Sequence, residues 1–248
     1  MSQFELIERL IEANGGQKYW ESIQSIAVDF YFSGPALEGR GFPGIHEVSL
    51  TIDTKQSKVV FHKFGNIRGV YTPSRTEVGP LDSQEPLSIR DNPRDGFRGY
   101  SQTTPWDEHN LIYFVGYAFQ YYLAMPFCFR MPGFKTRELE THERPNGERW
   151  RVLNVEFPDD FITHSKSQNL FFDQGYRLRR MEYNVEIINS PSAAHLCFDH
   201  KSFGKLIVPT FRYVGMRDAG VSHMCAFVIQ MKDVQVKLKG EIGGGSTL

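Results

Sequence analysis

The 248-residue chain is poor in cysteine, with only Cys128, Cys197 and Cys225. Three thiols, far apart and in no Cys-x-x-Cys pair, exclude a disulfide framework and a zinc ribbon, and they suit a reduced, cytoplasmic protein. Net charge is scarce as well. The formal charge is −1 and the pI near 6.7, so no global basic field exists to attract nucleic acid, and no nucleic-acid partner is expected. The opening MSQFELIERLIEANGG has no basic stretch followed by an apolar run, which predicts the absence of a secretory leader. Absent too are His-Glu-x-x-His, Gly-x-Ser-x-Gly and phosphate-loop motifs. His195 and His200 are five apart on an expected strand and so face opposite sides. No metal and no cofactor are therefore expected. A literal Gly-x-G-x-x-Gly at Gly39–Gly44 is interrupted by Pro43 and followed by strand pattern, so it reads as a hairpin or bulge loop.

Long apolar runs are missing except for one. Leu111 to Phe129 carries no charge over nineteen residues, barely the ~20 needed to cross hydrocarbon. Pro126 interrupts its end, and Tyr113, Tyr117, Gln120, Tyr121 and Tyr122 lie within it. Stable membrane insertion is excluded on those grounds.

What the chain has in quantity is aromatic side chain: 20 Phe and 11 Tyr, eight of them in that one stretch. Flat apolar rings fill cores and line small-molecule pockets alike. The elements around them follow from periodicity. Ser2 and Glu5 suit a capping box, and Phe4, Ile7, Leu10 and Ile11 make a helical stripe ended by Gly15-Gly16. From Ile26 the period becomes two, with Ile26, Val28, Phe30 and Phe32, then Val48, Leu50 and Ile52, on one side of half-buried antiparallel strands. Residues 79–104 read as a long loop. Asn146-Gly147 reads as a type I′ hairpin turn. A second hairpin is expected around Asp173-Gln174-Gly175, its returning strand running from Tyr176 to Ile187, and further strands fill 193–239.

About eleven strands in meander order predict an α+β fold: a strongly curved antiparallel sheet, an open or half β-barrel, with an N-terminal helix and one long aromatic helix in the concave face. A single domain over residues 1–242 and a flexible tail over 243–248 are expected, and nothing in the sequence sets an oligomeric state.

The segment ANGGQKYWESIQSIAVDFYFSG, a helix ended by glycines leading through a Trp helix into the first strand, resembles the lipoprotein-carrier-like superfamily. TTPWDEHNLIYFVGYAFQYYLAMPF, FPDDFITHSKSQNLFFD and AAHLCFDHKSFGKLIVPTFR are similar to segments of uncharacterised bacterial proteins. The first resemblance implies a half-barrel that holds acyl chains.

Candidate site residues gather on and around the long helix. Thr104, Pro105 and Asp107 suit N-cap, first-turn and capping-box positions. Burial against Trp106 would raise the Asp107 pKa towards a useful acid–base value. Leu111, Phe114, Val115, Ala118, Tyr122 and Met125 form one apolar face. Tyr113, Tyr117 and Tyr121 repeat every four residues beside Gln120 and form a second, hydroxyl-bearing face that suits a ligand wall, and Gly116 admits a close approach. His164, in a loop beside the expected barrel mouth, is placed to act as a general base. Arg179, Tyr183 and His195 add polar groups to the wall, with Arg179 suited to an acid or an anionic ligand group. Together these predict a protein that binds an apolar small molecule (acyl, polyketide or terpenoid-like), with Asp107 and His164 available for cofactor-independent isomerase, cyclase or dehydratase chemistry. A non-catalytic lipid carrier, or an interaction scaffold with a solid aromatic core, satisfies the same residues.

Overall fold

The structure, a computed structural model, describes residues 3–83, 85–216 and 225–240. The expected Ser2 cap and the tail at 243–248 lie outside the described residues. Helix α1 (Gln3–Ala13) buries Leu6, Ile7, Leu10 and Ile11 on one face and ends where Gly15 and Gly16 take positive φ. Helix α2 (Gln17–Ser22) follows directly and leads into β1 (Ile23–Ser33), after which comes the one-turn helix α3 (Pro35–Glu38).

The first arm of the sheet is β1, β2 (His46–Asp53), β3 (Lys58–Phe64), β4 (Ile67–Thr72), β5 (Arg75–Pro80) and β6 (Ser88–Asp91). The second is β7 (Lys135–Glu143), β8 (Arg149–Glu156), β9 (Ser167–Phe172), β10 (Leu178–Tyr183), β11 (Ala193–Phe203), β12 (Leu206–Met216) and β13 (Cys225–Leu238). Each arm is a meander, and pairing of β1 with β13 joins them into one antiparallel sheet in the order β6-β5-β4-β3-β2-β1-β13-β12-β11-β10-β9-β8-β7. The strands number thirteen rather than eleven. Strands β6 and β7 are its two edges and do not pair with each other, so the sheet curves without closing.

Alternation does what the pattern predicts. Ile26, Val28, Phe30 and Phe32 are all buried, and so are Val48, Leu50 and Ile52 on the neighbouring strand. Phe30 of this set meets helix α4 (Glu108–Ala124). Phe30 stacks on Phe119 at 4.2 Å on β1, Gly116 abuts Tyr71 on β4, and Tyr122 meets His195 edge-on at 5.1 Å on β11. One helix thus touches both arms, and fourteen of its residues are buried. Burying a large apolar side chain is worth ~1.5–3 kcal/mol, so this helix is a main source of stability. No helix among the described residues is long and apolar enough to cross a membrane.

Several local expectations need correction. Helix α4 is capped by Asp107, not Thr104. The Asp107 side chain accepts the Asn110 amide at 2.9 Å, and Asn110 Oδ1 accepts the Asp107 N–H at 3.2 Å. Trp106 is held outside the helix because its own N–H donates to the Arg40 carbonyl at 2.9 Å, while Thr104 caps the Ser101 amide instead. The expected loop at 79–104 contains β6 and a 3₁₀ turn at Pro93–Phe97. The turn between β7 and β8 has positive φ at Gly147 but not at Asn146, so it is not type I′. Pro145 fixes a negative φ just before Asn146, and the Gly147 N–H donates to the Arg144 carbonyl at 2.9 Å, as in a type I turn with a glycine bulge. Strand β10 stops at Tyr183, and a 3₁₀ turn at Glu186–Ile188 replaces the rest of the expected strand.

Candidate functional site

The expected ligand-facing residues part into three environments. Tyr113 and Tyr117 are core. Tyr113 packs on Tyr71 and Phe97 at 5.6 and 5.7 Å, and on Tyr117 at 5.4 Å. The close approach at Gly116 belongs to this packing, since a Cβ there would lie 2.4 Å from Tyr71 Cγ. Gln120 and Tyr121, one turn on, reach a cleft of about 370 Å³ with Thr54, Gln56, Phe134 and Asp160 in its walls.

The second environment is a buried polar chain. His164 is 1% exposed rather than at a mouth, because the Phe157–Lys166 and Glu186–His164 backbone bonds fold its loop inward against β10. Its Nδ1 lies 2.9 Å from the Tyr117 hydroxyl and its Nε2 2.9 Å from that of Tyr122. Burial takes the His164 pKa down to about 3, so the ring is neutral. Tyr183 stacks on it and joins His195 Nδ1 at 3.1 Å, and His195 Nε2 meets Arg212 Nη1 at 3.3 Å. Arginine only donates, so His195 accepts at Nε2 and donates from Nδ1 to Tyr183. Arg212 is 1% exposed and stands over the Tyr122 ring at 4.7 Å, with Cys197 Sγ 3.6 Å away. Burial raises the Cys197 pKa, so this thiol is no counterion. No carboxylate among the described residues pairs with Arg212, and its Nε has no partner. His195 and Cys197 are both buried on β11 and Arg212 on β12, and the β11–β12 register, with Cys197 opposite Arg212, brings them together.

The third environment is an apolar cleft of about 320 Å³. Pro35, Ala36, Val185, Ile188, Val214 and Phe227 are among its apolar lining, and Arg40 stands in its wall. Val185, Val214 and Phe227 also bound an inner void of about 30 Å³, whose other walls include Phe114, Tyr122 and Tyr183. Phe114 and Tyr183 thus border the void and not the cleft itself. Trp106 lies behind the cleft wall, its ring 4.8 Å beneath the Arg40 guanidinium. Arg40 came from the rejected glycine motif, and a lone arginine there gives no sequence signal.

Asp107 and Arg179 stand apart from all three. Asp107 faces Arg90, Oδ2 to Nη2 at 2.5 Å. Partial burial, the largest single influence, would raise its pKa. The Arg90 hydrogen bond, the Asn110 amide and the Arg90 charge together outweigh it and hold the carboxyl below its usual range, the reverse of the expected shift. Arg179 lies 3.9 Å from Asp173 in a partly exposed pair. Among the described residues no cluster of histidine, cysteine and carboxylate side chains could hold a metal ion.

A LolA superfamily protein from Nitrosomonas europaea superposes on this chain with a TM-score of 0.52, covering 96% of this chain and 94% of its own, at 11% identity. The chain has a LolA-type fold. A DUF1329 family protein from Desulfovibrio piger aligns over 95% of this chain and 93% of its own, at 9% identity and a TM-score of 0.49. No protein-family model and no curated protein sequence matches the chain. The likeness to the LolA superfamily structure bears out the lipoprotein-carrier-like resemblance at the level of the fold, since 11% identity carries no site residue across.

Proposed function

We propose that this LolA-type half-barrel is a carrier that binds an apolar small molecule in the 320 Å³ cleft. The observation that carries the reading is the shared wall of Val185, Val214 and Phe227, which makes the cleft floor also the roof of a void against helix α4. A concave, mostly apolar recess with few polar groups is the usual form of a small-molecule site. The larger cleft suits such a ligand less, because Lys55, Gln56, Ser57, Gln120 and Asp160 line it. The isomerase, cyclase or dehydratase chemistry anticipated from Asp107 and His164 has no support in the comparisons, and neither side chain lines either cleft. Three free thiols suit a reducing compartment, and a cytoplasmic carrier is part of this proposal.

The test is binding of N-phenyl-1-naphthylamine, a neutral apolar fluorophore. Fluorescence should rise with wild-type protein and not with Ala36→Trp or Ala226→Trp, which fill the cleft. Ala124→Trp, in the other cleft, should bind normally. No binding by wild type, or full binding by both cleft-filling variants with unchanged thermal stability, would defeat the proposal.

A further inference from the structure

Among the described residues Arg40 has no counterion, and it stands in the wall of an apolar cleft. It is 4% exposed. Its Nη1 donates to the Ala36 carbonyl at 2.5 Å, its Nε is buried without a partner, and Nη2 meets no acceptor among the described residues. The Trp106 ring covers one face of the guanidinium. The nearest acid in sequence to that ring, Asp107, is taken by Arg90. Burial lowers the Arg40 pKa to about 10, which leaves it charged at neutral pH. A buried charge with no opposite charge is unfavourable, and an anion arriving there would gain both Coulomb energy and charge-assisted hydrogen bonds.

The geometry points to an amphiphile with one anionic headgroup as the ligand, its tail along Ala36, Val185, Ile188, Val214 and Phe227 and its head on Arg40. This rests on the carrier reading and adds the ligand's charge to it. One guanidinium edge suits a single carboxylate or a phosphate monoester, which share the oxyanion Arg40 would pair with. The Trp106 ring fixes the guanidinium plane, so the donors are held before the ligand arrives.

The experiment displaces N-phenyl-1-naphthylamine from the full chain with three ligands of one tail length: laurate, dodecyl phosphate and 1-dodecanol. With wild type, at least one anion should displace the fluorophore at about tenfold lower concentration than the alcohol, a ratio equal to ~1.4 kcal/mol. The anion that wins names the headgroup. Arg40→Met should lose the anion preference, so that laurate, dodecyl phosphate and 1-dodecanol displace the fluorophore at similar concentrations, while Arg40→Lys should keep part of it. Arg212→Met should leave the preference intact, because Arg212 lines neither large cleft. Equal displacement by all three ligands overturns the inference and leaves the carrier reading standing. Preference lost with Arg212→Met but kept with Arg40→Met overturns the assignment to Arg40. Absence of fluorophore binding by wild type defeats the carrier reading itself, and the two failures are distinct. Should Arg40→Met not fold, Arg40→Gln, which keeps a donor to the Ala36 carbonyl, carries the same comparison.

Discussion

His164 lies face to face on Tyr183, ring centroids 4.4 Å apart and planes 11° apart, with a tyrosine hydroxyl on each of its nitrogens. A neutral imidazole satisfies two such partners as one donor and one acceptor. The tyrosine hydroxyls could accept from an imidazolium as well, but burial would strip that cation of its hydration. The folded protein therefore holds this ring neutral, and consequences for pH follow.

The His164 pKa is near 3 when folded and returns to its ordinary 6.5 when unfolded. The unfolded chain thus binds one more proton between those values. Stability from this group is complete above pH 6.5 and falls as pH drops towards 3, by up to ~1.4 kcal/mol per pH unit. Burial and the Arg212 charge displace His195 in the same direction. Urea unfolding at pH 7, 6 and 5 should show this fall, and His164→Gln should flatten it. A wild-type curve flat across that range would contradict the buried neutral ring.

Tyr117 was a candidate ligand wall, and its burial makes it a core residue. Tyr117→Ala is expected to cost about 3–5 kcal/mol, from lost burial and the cavity left behind. Tyr117→Phe keeps the ring and removes only the hydroxyl at His164, for about 1 kcal/mol. Thermal denaturation of both variants checks the ratio. Similar small losses would mean that the ring borders open space.

Gly116→Ala sets two effects against each other. Helix propensity favours alanine by about 1 kcal/mol. The new Cβ would fall 2.4 Å from Tyr71 Cγ, at the base of a buried ring that cannot swing away. Overpacking of this kind costs about 1–3 kcal/mol, so the variant should be less stable overall. A raised melting temperature would show that α4 and β4 can separate without loss.

Asp107→Ala removes the N-cap of α4 and the partner of Arg90. About 1 kcal/mol of stability should be lost, and Asp107→Asn should restore most of the cap. Fluorophore binding should not change with either, because Asp107 lines neither large cleft. Weakened binding would place this residue at the ligand after all.

Arg212→Met replaces a buried charge that has no acid partner among the described residues. It forfeits a cation–aromatic contact worth up to ~2 kcal/mol and the hydrogen bond to His195. It also removes a desolvation penalty of several kcal/mol. The variant should be within about 1 kcal/mol of wild type or more stable. Equilibrium unfolding decides this, and a loss of several kcal/mol would mean that the cation is better compensated than its contacts indicate.

Much of the fold was legible in the residues. Ile26, Val28, Phe30 and Phe32 alternate, and alternation admits a strand with one buried side. The uncharged length from Leu111 onward, carrying Gly116, determined a helix in the concave face with one close approach, but not its cap, which was expected at Thr104 and lies at Asp107. The half-barrel resemblance followed from the glycine-ended first helix and the Trp helix after it. The β6 strand was not legible, because four residues beside Pro86 and Pro93 carry no pattern of their own. The site was legible only in part. Periodicity sorted Tyr113, Tyr117 and Tyr121 onto one face of α4 but could not say what that face meets. Tertiary packing put a ring of Tyr71 over Tyr113, an imidazole on Tyr117 and a cleft beside Tyr121. Likewise the sequence held an arginine at 40 and apolar side chains near 185, 214 and 227, with nothing to link them. Side-chain period is a local property of a strand or helix, whereas a cleft is made by elements far apart in the chain, and only folding brings those into contact.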